Sequence, residues 1–172
     1  MTPFVTVVIA TYNQAWCIHD TIESVLAQTY RHFEIVVVDD GSTDETAERV
    51  RSFGTIVTYL RHDKNHGRHT GGWAARNTGI ATAQGDFIAF LDGDDLWEPE
   101  KLEAQVQAAG AHPDSGLIAV DGILFDSVGL FDDIYGNDYD LWLRIAARYN
   151  VIDQETTRSM AIPAFKQLGS HA

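Results

Sequence analysis

Phe87-Ile88-Ala89-Phe90-Leu91-Asp92-Gly93-Asp94-Asp95 is an apolar run that stops on a cluster of acids. A short continuous apolar run bounded by polar turn residues reads as a buried strand of a mostly parallel sheet. Helical periodicity flanks it on both sides. Residues 73–83 read as a helix closed by Gly85, and Pro99 opens another that runs to about residue 109. The same alternation extends toward the N-terminus. Residues 4–10, 33–38 and 55–60 read as strands rich in β-branched residues. Between the first two lies a helix that puts Ile22, Val25 and Leu26 on one face, with Asp20 and Glu23 at capping-box spacing. Gly41-Ser42-Thr43-Asp44 is a turn that opens the next helix, with Ser42 and Glu45 again at capping spacing. Residues 61–72 are polar and rich in His and Gly and read as a loop. Beyond the acidic cluster, residues 117–120 and 123–125 read as short strands. A last helix over residues 138–149 places Leu141, Ile145 and Tyr149 on one face.

Strands alternating with helices predict one α/β domain, a Rossmann-like, mostly parallel sheet with helices on both faces. Residues 3–151 make up that domain, and residues 152–172, where the pattern fades, read as a C-terminal tail. A chain of 172 residues suits a single core, and 45% hydrophobic content is ordinary for a globular protein. The formal net charge of −13 argues against nucleic-acid binding through a general basic surface and against attraction to anionic lipid by charge alone. Cys17 is the single cysteine, so no intrachain disulfide forms, and a buried structural thiol is the expected role. No signal peptide and no transmembrane run is legible. A cytoplasmic protein is expected, with docking at the inner face of a membrane left to a partner.

In open α/β sheets ligands bind beyond the carboxyl ends of the strands. Three such ends are rich in polar groups: Thr11-Tyr12-Asn13, Asp39-Asp40-Gly41-Ser42 and Asp92-Gly93-Asp94-Asp95. Like charges gathered at one sheet edge repel unless something offsets them. A hard divalent cation, Mn²⁺ or Mg²⁺, is the natural offset, because it prefers oxygen ligands and shares them with a diphosphate. Gly93 is expected to leave room for a phosphate to approach the backbone. His62, His66 and His69 lie in the polar loop without zinc spacing, so a solvated loop is the expectation. Trp97 and Trp142 sit at helical positions and are expected in the core.

Three segments together carry a resemblance: VVIATYN at residues 7–13, EIVVVDDGSTD at residues 34–44, and GDFIAFLDGDD at residues 85–95. With SVLAQTY at residues 24–30, AARNTGI at residues 74–80 and NDYDLWLR at residues 137–144, they resemble family 2 glycosyltransferases of the GT-A fold. The resemblance covers most of residues 3–149, and its motifs occur in the family's order. It implies transfer of a sugar from a nucleotide-diphosphate donor, a UDP-sugar most often, with inversion. The acceptor would be a glycan, a lipid-linked or another hydroxyl, in the setting of cell-envelope polysaccharide synthesis. It also implies that Ala10, Thr11, Tyr12 and Asn13 line the nucleotide pocket, that Asp40 meets the base, and that Asp39 supports the site. Asp92 and Asp94 match the family's Asp-x-Asp, on the ribose and the metal-diphosphate, with Gly93 between them and Asp95 as a further metal ligand. Arg76 is a candidate for the phosphate or for a structural ion pair, and Asp138 matches the general base.

Two departures stand out. Asn137 replaces the family's usual Glu, and residues 123–127 are all that separates two segments that lie further apart in relatives. The acceptor side therefore looks shortened. A non-catalytic relative that binds nucleotide sugar without transferring it is the alternative. A phosphoacceptor receiver domain fits less well, because its acid pair would follow the first strand and a lysine would follow a fifth.

Overall fold

Apolar residues on both faces of a strand need cover on both sides, and the chain supplies it by alternating strand and helix. The computed structural model describes residues 2–67 and 72–111, with the backbone of three further strands between 117 and 153. The order is β1 (Val5–Thr11), α1 (Ile18–Leu26), β2 (Phe33–Asp39), α2 (Thr46–Arg51), a 3₁₀ turn at Gly54–Ile56, β3 (Val57–Arg61), α3 (Trp73–Thr82), β4 (Phe87–Asp92) and α4 (Lys101–Ala111). Then follow β5 (Leu117–Ala119), β6 (Gly122–Ile123) and β7 (Val151–Asp153). The expected helix over residues 138–149 lies outside the described residues, as do His69, Asp138 and Trp142.

The strands pair in the order β3-β2-β1-β4-β6-β5-β7. The first four are mutually parallel, β6 is antiparallel to both β4 and β5, and β7 runs parallel to β5. The sheet is thus mostly parallel, as the alternation predicts. The chain builds outward from β1 through β2 to β3, then crosses back to place β4 on the other side of β1. That reversal makes the β1–β4 boundary a topological switch point, where such sheets open a crevice at their carboxyl edge. The register sets which residues meet there: Thr11 lies beside Asp39, Asp39 beside Arg61, and Ala10 beside Asp92.

Strand alternation divides the core. Val5, Val7, Ile9, Ile35 and Val37 face α1, α2 and α4 together with Ile18, Ile22, Val25, Val50, Trp97 and Leu102. Val36 and Val38 face the other way, against Ala75 of α3. The buried residues of α1 are Ile18, Thr21, Ile22 and Val25, the three- and four-residue spacing of one helical face. Truncating a fully buried residue such as Ile22 to Ala costs about 2–5 kcal/mol. Trp97 is a core residue as expected, though it lies in the loop before α4 and not at a helical position, with the Lys101 ammonium 3.5 Å above its ring.

Helix starts differ from the capping reading. Cys17, not Asp20, is the N-cap of α1, and Asp20 lies in the first turn. Ser42 does not cap α2: its hydroxyl accepts from the Asn13 amide instead, while Asp44 Oδ1 accepts from the Thr46 amide at 3.0 Å. At α2 a long-range contact takes the hydroxyl from the local cap. Gly85 does not close α3, whose C-cap is Ala83. A Cβ on Gly85 would lie 2.5 Å from the Thr6 amide nitrogen, so it is the close approach to β1 that needs glycine.

Candidate functional site

The loops that follow β1 and β2 are tied into one unit. Asn13 takes a left-handed backbone, φ 52°, which an Asn tolerates better than most side chains. Its amide donates to Ser42 Oγ, and its own Oδ1 accepts from the Thr43 amide at 2.8 Å. The Gln14 amide donates to Thr46 Oγ1 and the Ala15 amide to Asp44 Oδ2. Beneath them Asp39 is fully buried: Oδ1 accepts from the Ser42 amide at 2.7 Å and Oδ2 from the Tyr59 hydroxyl at 2.6 Å. Burial and the neighbouring Asp39 carboxylate push the Tyr59 hydroxyl well above its usual range, so it stays a donor. Asp39 therefore shapes the turn and does not line the cleft.

Asp40 is the next residue and faces the opening. Oδ1 meets His62 Nδ1 at 2.7 Å and His66 Nδ1 at 2.6 Å. Oδ2 accepts from the His66 amide at 2.9 Å and from Asn65 Nδ2 at 3.0 Å. Burial pushes the Asp40 carboxyl up, but the bonds from His66 and His62 outweigh it and hold the group below the usual carboxylate range. This corrects the expectation of a solvated histidine loop. His62 is partly buried, and both rings close on Asp40 because β3 ends beside β2 and delivers the loop across the Asp40 carboxylate. A Cβ on Gly41, at φ 79°, would lie 2.7 Å from the backbone of Lys64 and Asn65, so that closure requires glycine.

On the other side of β1, Asp92 ends β4 with its side chain half exposed, and the buried Arg76 guanidinium of α3 donates to its Oδ1. Arg76, itself buried, thus pairs with a half-exposed carboxylate at the site. Gly93 is not open to a phosphate: a Cβ there would lie 2.3 Å from Gln14 Oε1 and 2.9 Å from Thr11 Oγ1. Its carbonyl accepts from Thr21 Oγ1 at 2.9 Å and Cys17 Sγ at 3.2 Å, so glycine here serves close packing between two loops. Burial, then the negative Asp94, raises the Cys17 thiol to about 11, which keeps it protonated and suits the structural role. The Asp95 amide donates to the Asp92 carbonyl at 3.0 Å, closing the turn.

These groups surround a cleft of about 440 Å³. Ala10, Thr11, Tyr12, Asp40, Arg76, Asp92 and Asp94 line it, as do Gln14, Asn65, Gly67, Gly72 and Ala75. Asn13, Asp39, Gly93 and Asp95 are not among the lining residues; the first three hold the loops that are. Asn65, His62 and His66 are the residues that sequence reasoning missed. The available signal was their position just past β3, the strand that pairs beside the Asp39-Asp40 end. For a cation, Asp92 and Asp94 offer exposed carboxylate oxygens on one wall, the hard donor set that Mn²⁺ and Mg²⁺ prefer, so the residues present fit such an ion.

The sequence profile described as Glycosyl transferase family 2 matches residues 6–159. The chain belongs to that family. Among family relatives, it is 39% identical over 110 residues to the putative teichuronic acid biosynthesis glycosyltransferase TuaG of Bacillus subtilis, covering 61% of this chain and 41% of TuaG. It is 30% identical over 190 residues to the uncharacterized glycosyltransferase RP339 of Rickettsia prowazekii, covering 83% of this chain and 58% of the relative. The chain thus spans less than two thirds of the length of these relatives. Staphylococcus aureus TarS 1–349, solved in complex with UDP-GlcNAc, superposes with a TM-score of 0.61 at 28% identity over 67% of this chain and 33% of that one. The mannosyltransferase PcManGT of Pyrobaculum calidifontis, in complex with GDP-Man and Mn²⁺, superposes with a TM-score of 0.77 at 22% identity over 92% of this chain and 56% of that one, a likeness of fold. The GT-A-type fold expected of the family is the one the sheet order displays. Among the described residues no helix is long and apolar enough to cross a membrane.

Proposed function

We propose that this chain forms the donor half of an inverting, metal-dependent glycosyltransferase that moves a sugar from a UDP-sugar to a hydroxyl of a glycan or lipid-linked acceptor. The observation that carries the reading is the cleft at the β1–β4 switch point, which faces Asp40 on one side and Asp92 and Asp94 on the other. The choice of UDP is supported by TarS, which resembles this chain and was solved with UDP and with UDP-GlcNAc.

In this reading Ala10, Thr11 and Tyr12 form the floor for the nucleoside, and Asp40 stands at the base end. Asn13, Asp39 and Gly93 fix the loops beneath it. Arg76 holds Asp92 by one oxygen, which orients the carboxylate toward the ribose and the cation. Asp92 and Asp94, with Asp95 nearby, would hold Mn²⁺ or Mg²⁺. When bound, that ion would supply charge stabilisation for the departing diphosphate. Asp138 takes the acceptor proton as general base, because a hydroxyl is a weak nucleophile until its proton leaves in the transition state. Holding acceptor oxygen and anomeric carbon in line is the remaining task.

Calorimetry with UDP, with and without Mn²⁺, tests the donor site. Wild type should bind UDP more tightly with Mn²⁺, and Asp94→Ala should lose that dependence. Equal Mn²⁺ dependence in both removes Asp94 from the site. Asp138→Asn should bind UDP normally yet lose about 10²- to 10⁴-fold in transfer rate. The second reading, a module that binds without transfer, rests on the short 123–127 segment. UDP binding without turnover on a broad acceptor panel would select it.

A further inference from the structure

Among the described residues, Asp40, His62 and His66 are the one group of three His, Cys, Asp or Glu side chains whose ligand atoms lie close enough to meet at an ion, all within 4.8 Å of one another. The geometry points to a site for a borderline divalent transition metal of the Zn²⁺ class on Asp40 Oδ1, His62 Nδ1 and His66 Nδ1, separate from the carboxylate pair Asp92 and Asp94. Two imidazoles and one carboxylate form a donor set that Zn²⁺ takes readily, with a fourth position left for water or a ligand. Imidazole nitrogen favours Zn²⁺, Co²⁺ and Ni²⁺, whereas Mg²⁺ is served by oxygen alone.

The surroundings of the cluster support the assignment. Asp40 Oδ2 is held by the His66 amide and Asn65 Nδ2, which turns Oδ1 toward both rings. His62 Nε2 lies 2.8 Å from Thr78 Oγ1, and that hydroxyl donates to the Ala74 carbonyl at 3.1 Å. A hydroxyl has one proton. With it on Ala74, His62 Nε2 is the donor to Thr78, so the neutral ring presents an Nδ1 lone pair to the Asp40 carboxylate. Two acceptors face to face call for a proton or a cation between them. An outer partner that fixes the far nitrogen of a histidine is also the usual support for a metal-bound ring.

Entry of the ion needs only local movement. Ligand atoms about 2.1 Å from a tetrahedral ion lie about 3.4 Å apart, against the present 2.6 and 2.7 Å. His66 sits at the exposed rim and can swing outward to open that gap. Asp40, Asn65 and Gly67 line the cleft, so the open coordination position faces it. Occupancy takes up Asp40 and therefore weakens UDP binding; this consequence rests on the proposed donor site, while the metal site itself does not.

The test is Co²⁺ titration of the untagged, chelator-stripped chain, read by the visible ligand-field absorption of nitrogen-bound Co²⁺. One Co²⁺ per chain should give the band, Zn²⁺ should abolish it and Mg²⁺ should not. His62→Ala and His66→Ala should each weaken Co²⁺ binding at least about tenfold, and Asp94→Ala should leave it intact. Ring-proton resonances of two histidines, shifted by Co²⁺ in the wild type, give the same answer without a variant. Absence of the band in the wild type, its persistence in both histidine variants, or its loss in Asp94→Ala overturns the site. Calorimetry with UDP should show weaker binding with Zn²⁺ in the wild type and no such loss in His66→Ala. If UDP fails to bind with or without Zn²⁺, the donor reading fails, while the Co²⁺ band still decides the site.

Discussion

Asp40 accepts hydrogen bonds from Asn65 Nδ2 and the His66 amide on Oδ2, and its Oδ1 meets His62 Nδ1 and His66 Nδ1. A carboxylate so buried and so well supplied with donors contributes to stability only while it is ionised. Its folded pKa lies below the ordinary 3.8, so the contribution is fully present above that value and is lost as pH falls through the depressed one. Asp40→Asn should therefore cost about 1–3 kcal/mol at neutral pH, since an amide leaves some of those donors unsatisfied. The cost should shrink in the acid range below pH 3.8. Urea unfolding of both proteins at neutral pH and at the acid end measures it, and a gap that stays constant across the range would mean that Asp40 is not the titrating group. The residues of this cluster were legible unevenly. Asp40 stood out because it follows a strand in an acidic pair. His62 and His66 did not, because their role depends on Asp39 pairing beside Arg61, a register that local pattern does not encode.

At the level of elements, α3 connects the two halves of the cleft, since it carries Arg76 to Asp92 and Thr78 to His62. Its position is set by Gly79, where a Cβ would lie 2.2 Å from Val8 Cγ1. Val8 is fully buried in the central strand, so it has nowhere to move. Gly79→Ala should cost about 1–3 kcal/mol by overpacking, seen as a lower urea midpoint. Val8→Ala in the same chain should return part of that loss, a coupling that independent sites would not show. Strands β1 to β4 were readable from apolar runs and lie within a residue or two of their expected bounds, whereas β7 was not read from the sequence. Nor were the caps. Ser42 and Asp20 have the right spacing, but Asn13 claims the Ser42 hydroxyl from 29 residues away. Close approach likewise explains why Gly85 and Gly93 read as a helix end and a phosphate gap: each is pressed against a backbone or side chain distant in sequence. Spacing reports local options, and tertiary contacts choose among them.

For the whole molecule, charge is the property that bears most on the ligand. The net charge of −13 surrounds a cleft that already contains Asp40, Asp92 and Asp94, and among the described residues the one arginine lining it is paired with Asp92. A nucleoside diphosphate is itself an anion and is repelled by such a field until a divalent cation intervenes. Screening should therefore work in opposite directions in two conditions. Without divalent metal, adding NaCl shortens the Debye length from about 10 Å at 0.1 M to about 3 Å at 1 M, and UDP affinity should rise. With saturating Mn²⁺, the attraction between the ion and the diphosphate is itself screened, so affinity should fall over the same range. Calorimetric titration of UDP at several NaCl concentrations, each with Mn²⁺ and with a chelator, gives both slopes. A chelator slope that falls with salt would mean that the cleft presents a positive field to the phosphate, which would place the diphosphate away from Asp92 and Asp94.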